Sequence, residues 1–245
     1  MKPGDTNPLK DVPAVILAGG KGTRLRPFTV TFPKPLVPLG DRPILDRLLH
    51  QLAETGISRV ILSLGHLSSL IRAYVNQQDS LNERLRIETV EEENPLGTAG
   101  SLKLIPGLNS TFLVMNGDLL TDVDFKRLIT RHRETGAAVT ISRYIRQHQV
   151  DFGVLEMDDE GFIKGYLEKP EYAYSVSMGV YAYEPRVLNY IEPNKYLDFP
   201  NLILRLLENG ETVGSYLHEG FWLDIGRPED YEKAQELAEK LWPGS

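Results

Sequence analysis

Between Pro13 and Asn116 the chain switches repeatedly between two hydrophobic periods, and few folds accommodate both. Pro13–Ala18 is a short apolar run, Arg59–Leu64 is β-branched and apolar, Leu85–Val90 alternates, and Thr111–Asn116 reads as a buried strand ending in Asn-Gly-Asp. Between them, Ile44–Thr55 places Leu45, Leu48, Leu49 and Leu52 on one helical face, and His66–Asn76 does so less cleanly. Strands separated by helices predict an α/β chain with a parallel sheet covered by helices on both faces. After Ala137 the pattern changes. Ala137–Arg143, Phe152–Met157, Phe162–Leu167 and Val176–Tyr183 are strand-like with short turns, which predicts an antiparallel or mixed portion of the sheet. Phe199–Glu208 and Arg227–Leu241 then read as helices. The second has Pro228 in its first turn, acids early and Lys240 late, the charge order a helix dipole favours. Residues 1–12, polar with Pro and Gly, are expected to be a tail. With no repeat, linker or low-complexity tract, residues 13–245 are expected to form a single domain.

Composition narrows the function classes. The 245 residues contain no cysteine, which removes disulfides, thiolate metal sites and a cysteine nucleophile. The net charge of −7 and pI near 5.3 argue against bulk nucleic-acid binding while allowing a local basic pocket for phosphate. No apolar run approaches the roughly 18–20 residues of a membrane span, and the N-terminus lacks a hydrophobic signal core. The expected compartment is the cytoplasm, with no membrane partner.

The strongest local signal is Leu17-Ala18-Gly19-Gly20-Lys21-Gly22-Thr23-Arg24-Leu25, directly after the first strand. Ligands of open α/β sheets sit at the carboxyl ends of strands, where a loop without Cβ atoms lets backbone approach a phosphate. Consecutive amides there can form an anion-binding concavity, and Arg24 adds a planar fork for phosphate oxygens. The spacing matches neither the Walker sequence nor the dinucleotide fingerprint. Pro33-Lys34-Pro35 reads as a cation on a stiff arm, or as a solvated lysine in a Pro-rich turn. Asp118, after Asn116-Gly117, and Asp224, within Trp222-Leu223-Asp224-Ile225-Gly226, are acids at strand ends. Singly each reads as a cap or turn residue; with a phosphate loop they point to Mg²⁺ held on a nucleotide. Asp122-Val123-Asp124 is a competing metal motif, but Asp124 heads a helix and reads as its N-cap.

Together, Leu17–Leu25, Pro33-Lys34-Pro35-Leu36, Pro95-Leu96-Gly97-Thr98-Ala99-Gly100, Asn116-Gly117-Asp118, Glu168-Lys169-Pro170, Met178-Gly179-Val180-Tyr181 and Trp222–Gly226 resemble the sugar-1-phosphate nucleotidyltransferases. These motifs run in family order from about residue 13 to residue 230. The resemblance implies a Rossmann-like, mixed, mainly parallel sheet and transfer of a nucleotidyl group from an NTP to a sugar 1-phosphate. It places Leu17, Ala18, Gly19, Gly20, Gly22, Thr23 and Arg24 around the nucleotide, with Pro95, Gly97, Thr98 and Ala99 seating the base. Lys34 is expected on the triphosphate, and Asp118 and Asp224 on Mg²⁺. Glu168 is expected on sugar hydroxyls and Lys169 on the sugar phosphate, with Gly153, Met178 and Gly179 lining the sugar pocket. Arg24, Lys34, Asp118, Lys169 and Asp224 are thus the expected catalytic set. Because the chain ends soon after residue 240, the C-terminal β-helix or allosteric helices of longer relatives are expected to be absent. A monomer or small homo-oligomer is expected.

The chemistry needs no general base, since a sugar phosphate with a second pKa near 6 is already a nucleophile at pH 7. It needs charge neutralisation where two anions meet. The five histidines (His50, His66, His132, His148, His218) are accordingly expected to be structural or at the surface. Glu91-Glu92-Glu93 precedes the Pro95–Ala99 run. A carboxylate only accepts hydrogen bonds, so an acid near the base favours guanine, which presents two adjacent donors, over uracil or thymine. The run resembles that of the mannose- and heptose-1-phosphate guanylyltransferases, whose base-reading position falls on Glu92; a solvated strand end is the alternative. The expected substrates are therefore GTP and a manno- or heptose-like sugar phosphate. Uridylyl or thymidylyl transfer, a metal-dependent glycosyltransferase using Asp122-Val123-Asp124, and a non-catalytic nucleotide-sugar sensor are the rival readings.

Overall fold

Apolar runs with nothing polar on either side are stable only where both sheet faces are covered, and the central strands of this chain are of that kind. The computed structural model describes Asn7, Leu9 and residues 11–241. In chain order its strands are β1 (Ala14–Ala18), β2 (Arg59–Leu64), β3 (Arg86–Glu91), β4 (Phe112–Asn116), β5 (Leu119–Thr121), β6 (Val139–Gln149), β7 (Val154–Met157), β8 (Ile163–Leu167), β9 (Glu171–Tyr183), β10 (Val213–Leu217) and β11 (Trp222–Asp224). Pro38–Leu39 and Arg42–Pro43 make a further two-residue pairing. The longer helices are α1 (Ile44–Thr55), α2 (Ser68–Asn76), α3 (Phe125–Thr135), α4 (Phe199–Glu208) and α5 (Pro228–Leu241).

Seven strands form one sheet in the order β10-β6-β9-β4-β1-β2-β3. Pairings β4–β1, β1–β2, β2–β3 and β10–β6 are parallel, while β9 runs antiparallel to both its neighbours. The sheet is therefore the mixed, mainly parallel, Rossmann-like one. Alternate residues of β1 serve opposite faces. Ala14, Ile16 and Ala18 join Leu45, Leu48 and Leu49 of α1, Ile71 of α2 and Phe125 and Leu128 of α3; Val15 joins Leu202 and Leu206 of α4. Each buried Leu, Ile, Val or Phe among them contributes about 1.5–3 kcal/mol. Helix α1 stops at Gly56 (φ 91°), whose N–H returns to Ala53 O at 3.1 Å, a left-handed C-cap.

Two expectations change. Within the expected tail, Leu9 and Val12 are buried in the core and Asn7 Nδ2 donates to Thr55 O at 3.1 Å, so packing begins before residue 13. The other residues of 1–10 and residues 242–245 lie outside the described set. Strands β6 and β9 also run longer than their apolar signal. Their far halves pair Ile145–Gln149 with Glu171–Ser175, and beyond them β7 and β8 make a separate two-stranded ribbon. Phe152 and Phe162, just before the two strands of this ribbon, are 77% and 67% exposed. No helix among the described residues is long and apolar enough to cross a membrane.

One buried polar cluster ties α3 to the sheet. His132 Nδ1 lies 2.8 Å from Thr140 Oγ1, its Nε2 lies 3.1 Å from Glu184 Oε1, and Thr111 Oγ1 donates to the same Glu184 oxygen at 2.7 Å. A carboxylate only accepts, so Nε2 carries the proton and Nδ1 accepts from Thr140. Burial lowers the His132 pKa from its ordinary 6.5, against the opposing pull of Glu184. The unfolded chain therefore takes up a proton near pH 6.5 that the folded chain resists. Stability from this group is full above that pH and declines below it. In urea melts between pH 7.5 and 5.5, His132→Gln should flatten the dependence of stability on pH by up to about 1.4 kcal/mol per unit.

Candidate active site

Strand β1 connects to β2 on one side while β4 lies on its other side, so the sheet reverses direction of growth between β1 and β4. The crevice at such a reversal is where open α/β sheets bind ligands. Register pairs Leu17 with Asn116, and Gly117 N donates to Leu17 O at 2.9 Å, which sets the Gly19–Gly22 loop against Gly117-Asp118. Gly22 has φ 60°, and a Cβ there would lie 3.0 Å from Thr29 Cγ2 and 3.1 Å from Lys34 Cβ. Its carbonyl accepts from Thr29 Oγ1 at 2.7 Å and from Leu25 N at 3.0 Å, so the loop closes into the single turn Thr23–Leu25. The result is a cleft of about 250 Å³ walled by Leu17, Ala18, Gly20, Gly22, Thr23, Arg24, Lys34, Gly117, Asp118 and Gly226.

Lys34 reaches this cleft from a tight turn rather than from an extended arm. Leu36 N donates to Pro33 O at 2.9 Å and Val37 N to Lys34 O at 3.1 Å. The lysine is buried, and its Nζ pairs with Asp118 Oδ2. Asp224 arrives from the far end of the chain. Strand β11 pairs antiparallel with β5, with Asp224 opposite Leu119, and Ile225 N donates to Asp118 O at 3.0 Å. The two carboxylates are thereby neighbours. Burial, and then the Asp118 charge, raise the Asp224 pKa, while Lys34 and Arg24 oppose the rise. Asp118 Oδ1 is buried with no hydrogen-bond partner. Two hard oxygen donors, one of them orphaned, whose mutual repulsion Lys34 and Arg24 relieve only in part, fit a divalent cation. Among the described residues no group of three or more His, Cys, Asp or Glu gathers, so any further ligands would come from substrate and water.

A second, apolar cleft of about 600 Å³ opens beside the first, walled by Asn116, Leu119, Ile141, Met178, Gly179, Tyr181, Phe199, Ile203, Trp222 and Asp224, among others. A bulge in β9 builds it: the pairing with β6 shifts between Ser177 and Tyr181, with Gly179 at φ 75°, where a Cβ would come within 2.6 Å of Asn116 Nδ2 and leave it no room. The Met178 carbonyl accepts from Trp222 Nε1 at 2.9 Å. Tyr181 stacks on Phe199 with ring centroids 3.9 Å apart, and burial pushes its phenol up to about 12.

The remaining expected residues divide. Glu92 borders the glycine loop, but its Oε2 accepts Leu96 N–H at 2.8 Å and its Oε1 accepts from Ser63 Oγ at 3.3 Å. It therefore folds the Asn94–Leu96 turn, a duty the sequence did not disclose. Ala99 N and Gly100 N, at 2.9 and 3.0 Å from Leu197 O, pin the Pro95–Ala99 stretch, and Thr98 lines the apolar cleft. Gly153, Glu168 and Lys169 are not brought into either cleft wall. They sit at the ends of the β7–β8 ribbon, where Gly153 abuts Tyr166, whose hydroxyl donates to Glu168 Oε2 at 2.9 Å, and Lys169 is exposed at φ 44°. Among the described residues, none of β7 or β8 belongs to a buried core cluster. The rival metal motif is otherwise engaged: Asp122 Oδ1 accepts from Phe221 N at 2.8 Å and faces His218 at 3.0 Å, and Asp124 caps α3 through Arg127 N at 3.0 Å. Asn116, Ile141, Tyr181 and Phe199 were missed as pocket residues. They come from four separate elements, and no local spacing links them.

The family model for nucleotidyl transferases matches residues 13–240. The chain belongs to that family. It is 35% identical over 226 residues to a mannose-1-phosphate guanylyltransferase of Mycobacterium tuberculosis, with 90% of this chain and 62% of that protein covered. It is equally 35% identical over 241 residues to a UTP–glucose-1-phosphate uridylyltransferase of Synechocystis sp., again covering 90% and 62%. The chain thus spans about 62% of the length of these curated relatives. Among solved structures it is similar to HddC from Yersinia pseudotuberculosis, with TM-score 0.72, 29% identity, and 92% of this chain and 99% of that one covered. HddC has also been solved with GMP-PN, where the match has TM-score 0.71 and 30% identity over the same coverage. For this family member the loop geometry is directly testable. Gly22→Ala forces a Cβ into a left-handed backbone, and urea denaturation should show a loss of about 1–2 kcal/mol.

Proposed function

We propose that this chain transfers the nucleoside monophosphate of an NTP to a sugar 1-phosphate, releasing pyrophosphate, with GTP and a manno- or heptose-like sugar phosphate as substrates. The observation that carries the reading is the cluster of Lys34, Asp118 with its orphaned oxygen, and Asp224 beside a glycine loop at the β1–β4 crevice. Membership of the nucleotidyl transferase family supports it.

In this reading the amides of Gly19, Gly20 and Gly22–Arg24 receive the nucleotide's phosphates, and Pro95, Gly97, Thr98 and Ala99 seat the base. Arg24 and Lys34 oppose the charge of the triphosphate. Asp118 and Asp224 would hold Mg²⁺, which when bound supplies positive charge to phosphate oxygens. Met178 and Gly179 line the space for the sugar. In this assignment Glu168 takes the sugar hydroxyls, Lys169 the sugar phosphate, and Gly153 the sugar pocket. The phosphate nucleophile needs no base, and the two buried histidines among the described residues, His132 and His218, are engaged with Thr140 and Glu184 and with Phe221 and Asp122. GTP is favoured by the guanylyltransferase relatives and by a carboxylate, Glu92, facing the loop that seats the base. Uridylyl transfer is the second reading, and the relative from Synechocystis is the observation that favours it.

NTP–pyrophosphate exchange across four NTPs and a panel of sugar 1-phosphates tests the reaction. Asp118→Asn or Asp224→Asn should lower turnover at saturating Mg²⁺ by at least about a hundredfold, the scale of losing one main electrostatic stabiliser. Near-normal activity in either would end the assignment. Glu92→Gln should lower the kcat/KM ratio of GTP over UTP by about ten- to hundredfold, from mismatched donors at the guanine edge. A ratio that stays unchanged, or a parent enzyme that prefers UTP, would leave Glu92 with its loop-folding role alone.

A further inference from the structure

Helix α4 does not use the cap its own sequence supplies. Asp198 stands at the N-cap position with an extended backbone, φ −89° and ψ 156°, and its main-chain oxygen accepts Leu202 N–H at 3.0 Å, yet its carboxylate does not cap the helix. An aspartate there ordinarily accepts an amide of the helix's own first turn. This one turns instead to a segment 100 residues earlier, where Oδ1 accepts from Thr98 N at 3.2 Å and from Thr98 Oγ1 at 3.4 Å. Thr98 Oγ1 in turn accepts Phe199 N–H, the first amide of α4, at 2.8 Å. The two segments therefore cap each other.

Backbone contacts draw the same segments together. Leu197 N donates to Leu96 O at 2.9 Å, while the Leu197 carbonyl holds Ala99 and Gly100. A Cβ on Gly97 would lie 2.6 Å from Leu197 O and 2.8 Å from Asp198 Oδ1, so the close approach depends on glycine. Thr98 and Phe199 both line the apolar cleft, and Phe199 stacks on Tyr181. Asp198 itself lies in the wall of neither the glycine-loop cleft nor the apolar cleft. It is half-buried, and Tyr196 donates its hydroxyl to the second carboxylate oxygen, Oδ2. A backbone amide held by an ionised acceptor is bound roughly twice as strongly as by a neutral one.

We propose that Asp198 is a positioning residue for nucleotide binding: its carboxylate holds Gly97 and Thr98 in the shape that receives the base, without touching substrate. The inference rests on the nucleotidyl transfer reading, which gives Pro95, Gly97, Thr98 and Ala99 to the base. Of this stretch, Ala99 is anchored by the Leu197 carbonyl, and Glu92 accepts the N–H of Leu96. Asp198 supplies the anchor for Thr98 between them. A seat formed only part of the time weakens apparent affinity by the fraction of time it is formed. Once the nucleotide is bound the seat is complete, and the carboxylate pair of Asp118 and Asp224 is unchanged. Loss of Asp198 therefore falls on KM for the NTP and spares kcat.

Steady-state kinetics and calorimetric titration of the full chain in Mg²⁺, with GTP, UTP and mannose 1-phosphate, read this role. Asp198→Ala should raise KM and Kd for GTP and for UTP about tenfold, the loss of one hydrogen bond to a charged group, with kcat within about twofold. Asp198→Ser should do the same while protecting the fold, since a serine caps α4 itself but is too short to hold Thr98 N–H. Asp198→Asn keeps an oxygen for that amide and should stay within about threefold of the parent. Mannose 1-phosphate should stay within about threefold in every variant, because Phe199 keeps its stacking on Tyr181. Unchanged nucleotide affinity in the Ala and Ser variants overturns the role. So does a fall in kcat with KM unmoved, the mark of fewer folded molecules. An Asn variant as weak as Ala, or equal losses for nucleotide and mannose 1-phosphate, also overturns it. Absence of NTP–pyrophosphate exchange in the parent, with nucleotide binding still weakened in the Ser variant and kept in the Asn variant, overturns the transferase reading and leaves the positioning role standing. A parent that binds neither nucleotide overturns both.

Discussion

Two carboxylates forced into proximity are the constraint around which the candidate site is built. Asp118 and Asp224 lie on strands β5 and β11 or immediately beside them, and the pairing of those strands leaves the acids no way to separate. Like charges in a partly buried place repel, and the pKa of Asp224 is raised first by the loss of water and then by that repulsion. Lys34, buried and 84 residues from Asp118 in sequence, answers one of the two charges. The other is left for a ligand. A site that is electrostatically incomplete alone is suited to binding phosphates and a cation together, because each relieves what the other would worsen.

The surrounding structure serves to hold this arrangement open. Neighbouring β1 and β4 bring the glycine loop to Asp118, and small residues allow backbone to meet backbone, as where Gly117 N reaches Leu17 O at 2.9 Å. The bulge at Gly179 interrupts the β6–β9 ladder at one point and turns a continuous sheet into the wall of an apolar cleft. Trp222 then captures the carbonyl at the bulge. Glu92 performs the same kind of service on the other side, accepting the Leu96 N–H so that the Pro95–Ala99 stretch keeps its shape. Polar groups that look free to act in the sequence are thus partly committed to architecture.

Legibility followed burial. The limits of β2, α1 and α4 match the apolar pattern because each buries a full face against the sheet. The distal halves of β6 and β9 escaped notice since their side chains are solvent-exposed and only backbone pairing makes them strands. Leu9, one apolar residue in a polar stretch, carried no period at all, yet it packs into the core. In the site, glycines and acids at strand ends were visible because their roles depend on local backbone. Asn116, Ile141, Tyr181 and Phe199 were not, since they come from four separate elements and share no local spacing.

The residue pattern by itself determined the class of fold, the loop that can receive phosphate, and the presence of two acids at strand ends, because hydrophobic period and glycine content act over a few residues. Tertiary structure alone decided which acids meet, that Lys34 answers Asp118, that Asp122 is taken up by Phe221 and His218, and that Gly153, Glu168 and Lys169 stand on a ribbon outside the clefts. Those outcomes depend on strand order and register. Both are set by burial summed over the whole sheet, which no short stretch of sequence contains.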